Sequence, residues 1–287
     1  MKKLLLPFLA AALLLSCQSE IKRDQYPIEI IGDWATKRDT TDQNEKVLTF
    51  SFSEDTCSYL MPFKNFTPYY ISSDTLFVGK KHNDRTLDEM RSLQPSFFAF
   101  KIVSFQKNTL SLASIDQLPN RTQRLIDRYG SETIQLQRIL PKSKESFERI
   151  GLQVTHCYGP CPVIYLELDK EGNVYFKRVV NPKEWALAGR ISERRLNIIR
   201  NKIQNVSWPD VESNYTAPWT DDQTNAIILT TADKQYRSRV YGKYAEPIAL
   251  RMLIHELSEI TQFMGAQLDT IDIDQLHFNE ELYGMLK

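Results

Sequence analysis

His156-Cys157-Tyr158-Gly159-Pro160-Cys161-Pro162 is the densest group of reactive side chains in the sequence. Three chemistries fit it. A turn through Gly159 and Pro160 can bring the two cysteine α-carbons within the about 4.4–6.8 Å that a disulfide spans, so a structural bridge is the leading reading in an oxidising compartment. A thiol–disulfide exchange site is the second, although the spacing is not Cys-x-x-Cys and no adjacent helix N-terminus is evident to lower a thiol pKa. Zinc held by His156, Cys157 and Cys161 is the third, and it lacks a fourth ligand nearby. Cys57, inside a strand-like run, reads as a buried small apolar residue.

Two further groups invite chemistry. His255-Glu256-Leu257-Ser258-Glu259 begins like the zinc-protease pattern His-Glu-x-x-His but carries Glu where the second imidazole belongs. With Leu250, Leu253, Ile254, Leu257 and Ile260 as the buried stripe of a helix, His255 falls beside Arg251, Ser258 and Glu259 on the outer face and reads as solvated. The segment YTAPWTDD sets Tyr215 and Trp219 beside Asp221 and Asp222 in a loop, a composition suited to anchoring a partner. No Gly-x-Ser-x-Gly, phosphate-cradling glycine loop or dinucleotide fingerprint occurs, so no catalytic residue, cofactor or resident metal is assigned.

The chain that must position these groups has 287 residues, with 36 Lys and Arg against 36 Asp and Glu. That balance leaves no electrostatic footprint for nucleic acid, which needs clustered cations. With 42% hydrophobic residues the body of the chain can fold, and its length suits two domains.

Residues 1 to 17 read MKKLLLPFLAAALLLSC: two lysines, an apolar stretch, a small residue and a cysteine. This is the pattern of a signal peptide over 1–16, too short to span a bilayer as a helix. Its end, Leu14-Leu15-Ser16-Cys17, resembles the lipobox of bacterial lipoproteins. The resemblance implies cleavage before Cys17, lipidation of its sulfur and attachment to a Gram-negative envelope. The outer membrane is the expected site, with the protein facing the periplasm or the surface. Residues 17–27 then form the lipidated terminus and a polar tether, whose Gln18 to Pro27 reach about 30 Å at most.

From residue 28 to 140 the chain alternates with period two. Leu48, Phe50 and Phe52 share one face against Thr49 and Ser51; Ile134 and Leu136 alternate with Thr133, Gln135 and Gln137. About eight such strands suit a small closed barrel, with short helices possible at 86–93 and 116–129. Arg138 shares the face of Ile134 and Leu136, and a guanidinium turned inward needs a partner such as the ring of Trp34. Gly32-Asp33-Trp34 at the start and Arg138 at the end resemble the lipocalin-like domains of bacterial lipoproteins. That resemblance implies a Trp34–Arg138 closure and a barrel able to hold a small apolar ligand; a filled core without a ligand fits a domain this short equally well.

Pro141 to Ser146 is polar and marks a boundary. Beyond it, over 147–266, come three strands, a helix capped by Ser192, two strands and a helix opening at Glu246-Pro247, an α+β order with an antiparallel sheet and two helices. Cys157-x-Gly159-x-Cys161-Pro162-Val163, followed by Tyr165, resembles an uncharacterised domain family of envelope lipoproteins marked by Cys-x-Gly-x-Cys-Pro-Val-Tyr, with Ile164 interrupting the motif. Asp169, Gly172, Tyr215, Asp221, Asp222 and Pro247 fit the same family. It brings an architecture and no reaction. The tail, 267–287, reads as an acidic segment and a short helix that dock on the body or add a strand. The expected function is therefore a non-catalytic, lipid-anchored binding or structural module whose partner is a small apolar ligand or an envelope protein; the alternative is an envelope thiol-redox enzyme working through Cys157 and Cys161.

Overall fold

In the computed structural model, β1 (Gly32–Thr36), β2 (Thr49–Phe52), β3 (Thr56–Leu60), β4 (Lys64–Ser72), β5 (Thr75–Val78), β6 (Phe98–Gln106), β7 (Thr109–Ser114) and β8 (Thr133–Arg138) follow one another around a closed antiparallel barrel. The structure describes residues 29–37, 47–54, 56–60, 64–79, 98–115, 120–129, 132–158, 161, 163–180, 183–242, 245–264, 269–272 and 276–286. The signal segment, Cys17, the tether and the expected helix at 86–93 lie outside the described residues.

Period two in the sequence becomes the inside and outside of the barrel. β1 pairs with β8 through Trp34 opposite Arg138 and with β2 through Trp34 opposite Phe50. Among the described residues, the barrel's own apolar side chains form one buried cluster inside it. Phe50 meets Phe100 edge-on at 6.1 Å and stacks on Phe52 at 5.6 Å, with Leu76, Leu110, Leu112 and Ile134 filling between them. An eight-stranded barrel has an interior about wide enough for such a filling. Helix α1 (Asn120–Tyr129) adds Leu125 and Ile126 to the same cluster.

After an extended segment, a second sheet contains β9 (Arg149–Val154), β10 (Val163–Asp169), β11 (Asn173–Val180), β12 (Lys183–Arg190), β13 (Asn214–Thr216), β14 (Thr224–Thr230), β15 (Gln235–Tyr241) and β16 (Asp269–Ile271). Their spatial order is β13-β15-β14-β9-β10-β11-β12-β16. The sheet is mixed, because β13 runs parallel to β15. The sequence pattern implies antiparallel pairing throughout and omits β12 and β13; β13 is only three residues long and joins an edge, where no hairpin signal precedes it. The β10–β11 turn is built on Asp169, whose Oδ1 accepts from the backbone N of Glu171 at 3.1 Å and of Asn173 at 2.9 Å.

Both faces of this sheet are covered. On one lie α2 (Glu193–Asn205) and α3 (Ile248–Ser258), whose Leu196, Ile199, Ile203, Leu250, Leu253 and Leu257 pack on Ile150, Leu152, Leu166 and Ile227. Ser192 caps α2, its Oγ accepting from Arg195 N at 3.2 Å. On the other face lie Leu276, Phe278 and Leu282, the last on α4 (Asn279–Leu286), against Tyr165, Ala226 and Ile228. The C-terminal segment does both things its sequence suggests: β16 extends the sheet beside β12, and α4 docks on it. A buried anchor fixes it. Phe278 N donates to the Tyr165 hydroxyl at 3.0 Å and to Glu167, which also takes the Tyr165 proton donor and pairs with Arg149 at 2.9 Å. Burial next to the Glu167 carboxylate pushes the Tyr165 phenol pKa strongly up.

Candidate functional site

One end of the second sheet gathers the cysteine pair and the aromatic loop. β9 ends beside the start of β14, where Thr155 N donates to Thr224 O and Thr224 N to Thr155 Oγ1, both at 2.9 Å, while Gln223 Nε2 donates to Thr155 O at 2.9 Å. On this base stands the 157–161 loop, closed by a Cys157–Cys161 disulfide with α-carbons 5.5 Å apart. Both cysteines are half-buried. Their sulfurs are bonded to each other, so neither is a thiolate ligand for the metal reading. Tyr158 between them is 90% exposed, and its backbone N points to Asp221 O at 3.5 Å.

Asp221 belongs to the second loop and is one of the described non-glycine residues at positive φ, +68°. Trp219 in that loop is 36% exposed. Its Nε1 donates to Asp222 Oδ2 at 3.2 Å, and Asp222 Oδ1 accepts from Gln223 N at 2.7 Å. The indole rests on Gly242, which has φ +73°; a Cβ there would stand 2.6 Å from Ala217 Cβ and 3.2 Å from Trp219 Nε1. The ring is therefore held in place while one part of it meets water. Tyr215 differs from its expected place in the loop. It lies in β13 with its ring in the core, its hydroxyl accepts from Glu212 N at 2.9 Å, and burial raises its pKa. Alternation explains this: Asn214 and Thr216 take the outward positions of the strand, and Tyr215 takes the inward one.

Across the β1–β8 pairing the Arg138 guanidinium carbon sits 4.2 Å above the Trp34 ring. The guanidinium donates to Lys107 O at 3.0 Å, to Ile31 O at 2.5 Å and to Glu29 O, while Trp34 Nε1 donates to Ile30 O at 2.8 Å. Desolvation lowers the Arg138 pKa. Gly32 is required beneath it: at φ +131° a Cβ would lie 2.7 Å from Arg138 Nη1.

The largest departure from the sequence reading is on α3. Of the residues that the pattern leaves to solvent, Arg251, His255 and Ser258 are buried and Glu259 is half-buried, and Glu256 is buried beside them; Arg251 pairs with Glu246 at 2.8 Å, and a barrel side chain lies on His255. Phe66 of β4 stacks on His255 at 5.5 Å, and the Arg195 guanidinium lies 5.1 Å from Phe66 and 3.4 Å from Phe263. Arg195 pairs with Glu256, Lys202 stands 3.9 Å from Glu256, and Lys202 reaches Asp33 of β1 at 2.6 Å. Burial raises the Glu256 pKa, opposed by Lys202 and Arg195. Burial also pushes the Cys57 thiol up. Arg195 and Lys202 on α2, and Arg251, His255 and Ser258 on α3, stand at helical spacing beside the apolar stripes, a pattern that a solvated face shows equally.

A family model described as a domain of unknown function (DUF6438) matches residues 148–261. The match runs from β9 to the turn after α3 and includes the disulfide loop, the Trp219 loop, Lys202 and Glu256, but neither the barrel nor the C-terminal segment. No curated protein and no solved structure matches the chain significantly.

Proposed function

We propose that this protein is a lipid-anchored, non-catalytic binding module of the cell envelope, made of a lipocalin-like barrel domain and the domain of unknown function. The Leu14-Leu15-Ser16-Cys17 pattern supports an outer-membrane anchor through Cys17, with the folded part in the periplasm or at the surface. One observation carries the binding reading: Tyr158 is 90% exposed on a loop closed by a disulfide and set against the Trp219 loop. A large aromatic ring on a pre-organised backbone loses little entropy when a partner covers it. The partner on this reading is another envelope component.

Site-specific photo-cross-linking in cells tests it. A photoreactive residue at 158 or 219 captures one discrete partner, the same residue at exposed Lys234 does not, and replacing Cys157 and Cys161 by Ser abolishes capture. Equal labelling from all three positions, or none, overturns the binding surface. Labelled fatty acid incorporated equally into wild type and Cys17→Ser overturns the anchor. The thiol-redox alternative draws on the half-buried exposure of both cysteines. Rapid catalytic turnover of the purified protein with a dithiol reductant selects it over the binding reading.

A further inference from the structure

Outside the barrel, where the β1–β8 seam meets the helices of the second sheet, lies a cleft of about 540 Å³. Small-molecule pockets fall in the range of about 300–1,000 Å³. The cleft lies in a seam of three parts: the ends of β1 and β8 with the segment that follows β8, the C-terminal end of α2 with the 3₁₀ turn after it, and the first turn of α3. Its apolar wall includes Ala35, Leu140, Val206, Val211, Ile248 and Ala249. Leu140 is 47% exposed, a large apolar side chain facing water in the cleft.

The charges around this wall have a sign. Lys37 and Lys142 line the cleft as exposed ammonium groups. The first turn of α3 enters the cleft with no side-chain cap and no acidic residue, which leaves its amide dipoles as additional positive potential. Asp210 is the acid in the lining, and its carboxylate accepts from Ser207 Oγ at 2.6 Å. The walls are held before any ligand arrives: Lys142 N and Ser143 N both donate to Gln204 O, at 2.8 and 3.0 Å, and Ile139 N donates to Asp33 O at 2.8 Å. A neutral apolar molecule would leave the two ammonium groups unused, and a short anion such as acetate would leave the apolar wall wet.

We propose that this cleft binds a fatty acid, its carboxylate between Lys37 and Lys142 and its alkyl chain along the wall from Leu140 toward Val206. The site is separate from the Tyr158 and Trp219 surface, and the inference stands or falls independently of that surface.

Calorimetric titration of the purified full chain with dodecanoate, below its micelle concentration, tests the proposal against dodecanol and acetate. Dodecanoate binds one to one, dodecanol binds at least about tenfold more weakly and acetate does not bind. The double variant Lys37→Glu/Lys142→Glu weakens dodecanoate by at least about tenfold and leaves dodecanol unchanged, while Leu140→Glu weakens both. All three substitutions are at exposed side chains, and an unchanged melting temperature establishes that the variants are folded. Absence of saturable dodecanoate binding, equal affinity for dodecanol, or dodecanoate binding unchanged in the charge-reversed and Leu140 variants overturns it.

Discussion

Lys202 Nζ lies 2.6 Å from Asp33 Oδ1, so an ammonium on α2 and a carboxylate on the first barrel strand form one buried ion pair. The pair is fully furnished with hydrogen bonds. Ser51 Oγ donates to Asp33 Oδ1 at 2.7 Å and accepts from Lys202 at 2.8 Å, and Asn205 Nδ2 donates to Asp33 Oδ2 at 3.0 Å. Desolvation offsets most of the attraction in such a pair, so its net contribution is small although breaking it is costly.

Removing one partner should therefore be much worse than removing both. Lys202→Met alone is expected to destabilise the protein by about 3–5 kcal/mol, because Asp33 is left charged and buried. Adding Asp33→Leu should recover a large part of that loss. Denaturant unfolding of the two single variants and the double variant measures the coupling; additive effects would show that the two residues do not act as a pair.

This junction also marks where the sequence stops being legible. The barrel follows from local information: the alternation around Phe50 and around Ile134 assigns those strands an inner face, and Trp34 and Arg138 sit in its first and last strands. The helices on the second sheet follow from the stripes at Leu196, Ile199, Ile203 and at Leu250, Leu253, Leu257. Periodicity cannot reveal what covers the remaining face of α3, because His255 is polar and looks solvated until Phe66 is brought to it by a contact far apart in sequence. Tyr215 is misjudged for a related reason. Three residues are too few to display a strand's alternation. In the candidate site, the cysteine spacing and the Trp219 segment are visible separately, but the contact between Tyr158 and Asp221 depends on β9 pairing with β14.

The Trp34–Arg138 contact makes a prediction about the barrel. Trp34 is fully buried, and its loss removes both the indole from the core and the surface on which Arg138 lies. Trp34→Ala should cost about 3–5 kcal/mol. The denaturant midpoint reads this directly, and an unchanged midpoint would mean that the barrel is closed by other contacts.

Glu256 predicts how the protein responds to pH. Its folded-state pKa is raised above the ordinary value of 4.5, chiefly by burial, so the native state holds the proton more tightly than the unfolded chain does. Stability contributed by this group is then fully present below the unfolded pKa and is lost as pH rises through the folded pKa. Glu256→Gln removes the titration. Relative to that variant, wild type should lose stability as pH rises from about 4.5 and then level off, measured by urea unfolding across the acidic to neutral range. A constant difference between the two proteins across that range would refute the shift.

The disulfide predicts a small stability effect with a distinct chemical signature. Its closed loop is very short, so the chain-entropy contribution is at most about 2 kcal/mol, and the Cys157→Ser/Cys161→Ser variant should remain folded. The bridge holds Tyr158 in the open between β9 and β10 and beside Asp221, so the variant should lose the local order of this loop before it loses the core. Hydrogen exchange should accelerate at Tyr158 and in the Trp219 loop while the centre of β10, around Leu166, stays protected. Thiol titration gives the second readout. Of Cys57, Cys157 and Cys161 in the wild-type protein, only Cys57 should react, and only after unfolding, because it is fully buried and burial raises its thiol pKa. Two thiols reacting in the native, unreduced protein would place Cys157 and Cys161 in the reduced state and remove the staple from the 157–161 loop.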